Sequence, residues 1–106
     1  MARYLWQVSY TAEGVRGIMK EGGTSRRAFV EGLVKEQGGT LEAFYFAFGK
    51  EDVVAIAELP DNKTVAAISM AVGGSGAAHV RTTVLLTPDE IDDATQIPVA
   101  YRKPGG

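Results

Sequence analysis

The most constraining feature of this chain is a pair of strand-like runs only four residues apart. Thr40 to Phe48 alternates, with Leu41, Ala43, Tyr45 and Ala47 on one side and Glu42, Phe44, Phe46 and Phe48 on the other. Val53 to Leu59 is apolar on both sides up to Glu58. The polar turn Gly49-Lys50-Glu51-Asp52 between them predicts a hairpin. Each side of the hairpin carries helix and strand signals. Tyr4 to Tyr10 is a third alternating run, with Tyr4, Trp6, Val8 and Tyr10 on one face. Thr11 suits the cap of a helix bearing Val15, Ile18 and Met19, which Gly22-Gly23 breaks. Thr24 or Ser25 is positioned to cap a second segment with the stripe Phe29, Val30, Leu33 and Val34, ended by Gly38-Gly39.

Beyond the hairpin, Pro60-Asp61 opens a helix with Asp61 as its cap and Val65, Ile68 and Val72 on one face; Gly73 to Gly76 ends it. His79 to Leu86 reads as the fourth strand. Thr87-Pro88-Asp89-Glu90 combines a threonine cap, a proline at the first helical position and a glutamate at the third, so a short helix to about Ala94 follows. The order β-α-β-β-α-β predicts an α+β, ferredoxin-like split β-α-β fold, with an antiparallel four-stranded sheet and helices on one face. Residues 1–95 form one domain in this reading. Residues 96–106 have turn formers and no periodicity, and read as a C-terminal tail or arm.

Composition narrows the function classes. The 106 residues suffice for one domain and not two, and 45% hydrophobic with 23% charged residues argues against disorder. Eleven basic against thirteen acidic side chains lack the basic surplus of a nucleic-acid binder. The absence of cysteine excludes a disulfide scaffold, a thiol nucleophile and a thiolate metal site, and the single histidine excludes a multi-histidine site within one chain. No cofactor and no metal are expected. Met1 to Gln7 lacks the apolar run of a signal peptide, and no stretch approaches the roughly 18 apolar residues of a membrane helix. The expected setting is soluble and cytoplasmic, without a membrane partner.

A sheet with apolar residues on both faces and helices for only one needs a second cover. The simplest is the sheet of another copy, so the chain is expected to be its own partner, as a homodimer or a multiple of dimers. The alternative cover is the C-terminal arm.

The run Tyr4-Leu5-Trp6-Gln7-Val8-Ser9-Tyr10-Thr11 with Gly14 and Lys20, and the run Gly38 to Phe46 with Gly49 and Asp52-Val53-Val54, resemble the GYD domain family. Val80 to Thr87 fits the same pattern. Gly49 and Asp52 match a Gly-x-Tyr-Asp form, with Glu51 in the place of the tyrosine. The resemblance covers most of residues 1–95. It implies the dimeric α+β barrel group within the ferredoxin-like folds, and no particular activity.

Several side chains are candidates for chemistry. His79 and Arg81 share a strand face, where an imidazole serves as a general base and a guanidinium holds an anion or enolate. Trp6, Tyr45 and Tyr4 suit an apolar pocket with a polar rim. Arg26, at the edge of a helical stripe, is placed to reach a ligand carboxylate, whereas Arg27 has an i, i+4 partner in Glu31. Glu42 and Glu58 would make a metal set only if they met His79. Gly73 to Gly76 follows a helix and precedes a strand, the reverse of a phosphate loop, and is a helix exit. The leading expectation is an oligomer that binds a small apolar or aromatic ligand. Two alternatives stand beside it: a cofactor-free monooxygenase- or isomerase-like enzyme acting on a small apolar or enolisable substrate, with His79 and Arg81 catalytic, and a purely structural assembly protein.

Overall fold

The computed structural model describes residues 1–106. It contains β1 (Ala2–Tyr10), α1 (Ala12–Glu21), α2 (Gly23–Glu36), β2 (Thr40–Phe46), β3 (Val53–Leu59), α3 (Asn62–Gly74), β4 (Ala78–Leu85) and α4 (Pro88–Ala94). The strands form one antiparallel sheet in the order β2-β3-β1-β4, the ferredoxin-like α+β arrangement expected from the element order. No helix is long and apolar enough to cross a membrane.

Register assigns every strand residue to a face. Trp6 stands opposite Ala55 and Thr82, and Phe44 opposite Ala55, so these share the helix-covered face with Tyr4, Ala57 and Val53. That face, together with Val34, Val65 and Ile68 from the helices, is the core. The Tyr4 hydroxyl, at the core's edge, donates to Asn62 Oδ1 at 2.6 Å, which satisfies the one polar atom this buried ring carries. The opposite face has the central row Ala43, Ile56, Leu5 and Thr83, then Tyr45, Val54, Gln7 and Arg81.

Three local expectations are corrected. Strict alternation placed Leu41 with Ala43 and Tyr45, but a bulge between Leu41 and Ala43 absorbs one residue. Leu41 therefore pairs with Ala57 and enters the core beside Phe44. Regular pairing of β2 stops at Phe46, and Phe48 projects from the turn. Neither Thr24 nor Ser25 caps α2: Gly22, with φ of 85°, turns the chain directly from α1 into α2, and no side chain caps the start. A left-handed φ of this kind is open to glycine at no steric cost.

The other caps follow the sequence. Thr11 accepts from Gly14 N, Asp61 from Thr64 N, and Thr87 and Glu90 form a reciprocal capping box. The helix so capped, α4, nevertheless buries no residue. Residues 88–106 are exposed throughout, including Ile91, Ile97, Val99 and Tyr101. The radius of gyration of 17.0 Å reflects this projecting arm, because a compact domain of this length has a value near ~13 Å.

Candidate ligand-binding site

An apolar cleft of about 430 Å³ opens between α2 and α3 over the sheet. Its floor includes Trp6 and Val8 of β1 and Ala55 of β3. One wall is Phe29, Val30 and Leu33 of α2; the other is Ile68, Ala71 and Val72 of α3. The cleft exists because three of the side chains that border it from α3 and its exit are small: Ser69, Ala71 and Ser75 leave space that larger residues would fill. Phe29, facing that space, stays 58% exposed.

The polar groups of the lining are few and donate or are already engaged. Arg26 sits at the rim, 3.0 Å from Glu21 Oε2 and with its guanidinium carbon 5.0 Å from the centroid of the Phe29 ring. Burial pushes the Tyr10 phenol up, against the opposing pull of Arg26, so its hydroxyl stays protonated in the neutral range. The Trp6 indole N–H is buried and has no acceptor in the protein. The cleft lining contains no carboxylate and no histidine.

A second, polar recess lies on the other face of the sheet, lined by Gln7, Ser9, Lys50, Glu51, His79 and Arg81. Glu51 organises it. Its carboxylate accepts from Ser9 Oγ at 2.9 Å and from the Arg81 guanidinium. These bonds, Ser9 first and Arg81 after it, hold the Glu51 carboxyl below its usual 4.5. A depressed carboxyl contributes stability that is complete above 4.5 and lost as pH falls through the lower folded value. Glu51→Gln is therefore expected to destabilise the protein at neutral pH, and the gap between variant and wild type should narrow in acid. Urea midpoints at about pH 6 and about pH 3 measure it; a gap that is constant or wider in acid would contradict the assignment.

The structure thus divides the candidate residues. Trp6 and Arg26 meet in the apolar cleft. His79 and Arg81 meet in the polar recess. Tyr45 joins neither: it is on the open face, 72% exposed, and is separated from Arg81 in its row by Val54 and Gln7. The pocket combining Trp6 with Tyr45 does not form, because Tyr45 pairs with Val54, next to Gln7, while Trp6 pairs with Ala55, and this register puts them on opposite faces. Glu42 and Glu58 both pair with Arg3, at 2.7 and 3.6 Å, at the end of the face away from His79, so the metal set is not assembled either. Arg27 pairs with Glu31 at 3.5 Å as its spacing predicts.

The family model for the GYD domain matches residues 4–95 of the 106. The chain belongs to the GYD domain family. No curated protein and no solved structure matches it. In this GYD-domain protein the Gly49–Asp52 turn does structural work at the end of β1. Asp52 Oδ2 accepts from Tyr10 N at 2.7 Å, and Asp52 N donates to Val8 O at 2.8 Å. Glu51, in the tyrosine's place, faces the polar recess. The cleft residues Phe29 and Leu33 stand in the sequence as an ordinary helical stripe. The available signal was the run of small residues on α3, which leaves that stripe without full cover.

Proposed function

We propose that this GYD-domain protein is a self-associating binder of a small apolar or aromatic ligand, held in the cleft between α2 and α3. The observation that carries the reading is the cleft itself. Its volume of about 430 Å³ falls in the range of small-molecule sites, and fifteen of its eighteen lining residues are hydrophobic. Self-association is supported by the uncovered face of the sheet, where Leu5, Val54 and Ile56 lie between two polar ends.

Binding is favoured over catalysis by the separation of the groups. An isomerase or oxygenase needs a base or an anion holder beside the apolar substrate. His79 and Arg81 are on the far side of the sheet, and Arg81 is already engaged by Glu51. The cleft offers apolar surface and hydrogen-bond donors.

Saturation-transfer NMR with a panel of bicyclic aromatics tests the reading. Wild type is expected to bind members of the panel. Ala71→Phe, which places a ring at the exposed rim of the cleft, should weaken them by about tenfold or more, equivalent to about 1.4 kcal/mol. Undiminished binding by the variant, or no binding by wild type, would overturn the cleft assignment.

A further inference from the structure

We infer that residues 98–102 are an exchange arm, which adds as a further strand to the free edge of β4 in a second copy of this chain. The inference rests on the chain's self-association and goes beyond it to a second contact, at the border of the uncovered face. The arm is not packed on its own fold. Ile97, Val99 and Tyr101 are 65%, 77% and 75% exposed, and the molecule extends 57 Å along its long axis against 33 and 24 Å across it. These three residues take every second position, with Pro98 and Ala100 between them, so they share one side of an extended chain. Ile97 N donates to Ala94 O and closes the end of α4; beyond it, no backbone N–H as far as Lys103 has a backbone partner within the chain.

The edge of β4 has the matching parity. Thr11 N donates to Ala77 O, two residues beyond the pair Ser9 and His79, so the odd-numbered residues of β4 bond β1. The even-numbered Val80, Thr82 and Val84 therefore turn their N–H and C=O groups to the free edge. Their side chains lie on the helix-covered face, opposite Val8, Trp6 and Tyr4, and Val84 is left 52% exposed there. Pro98 has no N–H, and a strand accepts it only where its nitrogen faces away from the ladder. That condition turns Val99 and Tyr101 toward β4. It also puts Ile97, Val99 and Tyr101 on the helix-covered face beside Val84, Thr82 and Val80. A proline one residue further on would set the two requirements against each other. Charge agrees as well. Run antiparallel, like every pair in this sheet, with Val99 opposite Thr82, the arm brings Lys103 to Ala78. The Glu13 carboxylate lies close by, against Gly76, and no cation of its own chain pairs with it. The occupant is a second copy because β4 borders the uncovered face, so an arm from the partner continues the surface by which two copies meet. Five residues alone fall short of the area a stable dimer buries, so the arm adds to that face and does not replace it.

Disulfide trapping tests this, because the chain has no cysteine and introduced thiols have only each other to meet. The positions used, Thr82, Val99 and Ala100, are all exposed, so the variants are expected to fold. Thr82→Cys, labelled with ¹⁵N, is mixed with unlabelled Val99→Cys, equilibrated and oxidised; no disulfide within one chain can form in that mixture. The control replaces Val99→Cys with Ala100→Cys, whose side chain points to the other face of the sheet. The mixed disulfide joining positions 82 and 99 is expected in about tenfold excess over the one joining 82 and 100, because side chains that point apart cannot be bridged. Sedimentation equilibrium of wild type accompanies the trapping. Equal yields at positions 99 and 100, or no mixed disulfide from a dimeric protein, would overturn the exchange arm and leave the sheet face as the contact between copies. A monomeric wild type would overturn the inference together with the self-association reading. A double variant, Thr82→Cys with Val99→Cys, that closes its disulfide within one chain would overturn the second copy as the occupant and place the arm on its own β4.

Discussion

Ile56→Glu is expected to leave the protein monomeric at micromolar concentration, where wild type is expected to sediment as a dimer or a multiple of dimers. Ile56 lies at the centre of the uncovered face of the sheet, in the row Ala43, Ile56, Leu5 and Thr83. One end of that face carries the ion pairs of Arg3 with Glu42 and Glu58. The other carries Ser9, Glu51 and Arg81, joined through the Glu51 carboxylate. An apolar centre between polar ends is the anatomy of an interface, with the charged groups left at a wet rim. Laying two such faces together removes Leu5, Val54 and Ile56 from water in both copies. A glutamate at position 56 would then be buried in the pair without a partner, and in the monomer it would simply face solvent. The dissociation constant should rise by about 100-fold or more, the equivalent of about 2.7 kcal/mol. Sedimentation equilibrium on both proteins, with circular dichroism to show that the variant keeps its secondary structure, makes the comparison. A wild type that sediments as one monomeric species removes the premise; a variant that stays dimeric moves the interface elsewhere, with the exposed arm bearing Ile97, Val99 and Tyr101 the next surface to alter.

The architecture was legible because its punctuation is chemical and local. Thr11, Asp61 and Thr87 each begin a helix because an oxygen two or three bonds from the backbone can reach a free N–H, whatever the rest of the chain does. The hairpin follows from the short polar turn before Val53. Facing was harder to read. A single extra residue between Leu41 and Ala43 reverses the sides of everything before it, and alternation carries no mark of a bulge. The candidate site was legible as two halves. Trp6, marked by its residue type, and Arg26, marked by its place at the edge of a helical stripe, share a cleft; His79 and Arg81, marked by their chemistry and their two-residue spacing, share a recess. What joined Tyr45 to Trp6 in the sequence reading was aromatic character alone, which says nothing about which face a strand residue takes. The cleft was hidden for a different reason. It is a gap between two helices, and a gap depends on how far apart they stand, which is set by the sizes of residues such as Ala71 and Ser69 on a helix remote in sequence from Phe29.

Gly39→Ala is expected to cost about 3 kcal/mol, the upper end of ordinary overpacking, although it adds one methyl group at a half-exposed position. The Cβ would lie 2.1 Å from the carbonyl oxygen of Glu58 and 2.9 Å from Leu59 Cδ2. No side-chain rotation relieves the first contact, because the atom it meets is backbone. Moving Gly39 away is blocked on its other side, since Gly39 N donates to Val34 O at 2.9 Å and so closes the end of α2. Relief must come from parting α2 and β2 from β3, and the residues that would separate, Val34 and Leu59, are fully buried. Gly32, inside α2, supplies the opposite case. A Cβ there meets nothing within 4 Å, so Gly32→Ala removes a flexible residue from a helix interior at no steric cost and should stabilise by up to about 1 kcal/mol. Denaturant midpoints for both variants, taken at one protein concentration because self-association adds to apparent stability, should move in opposite directions. Equal midpoints for Gly39→Ala and wild type would mean that β2 and β3 can open at this end without disturbing the core.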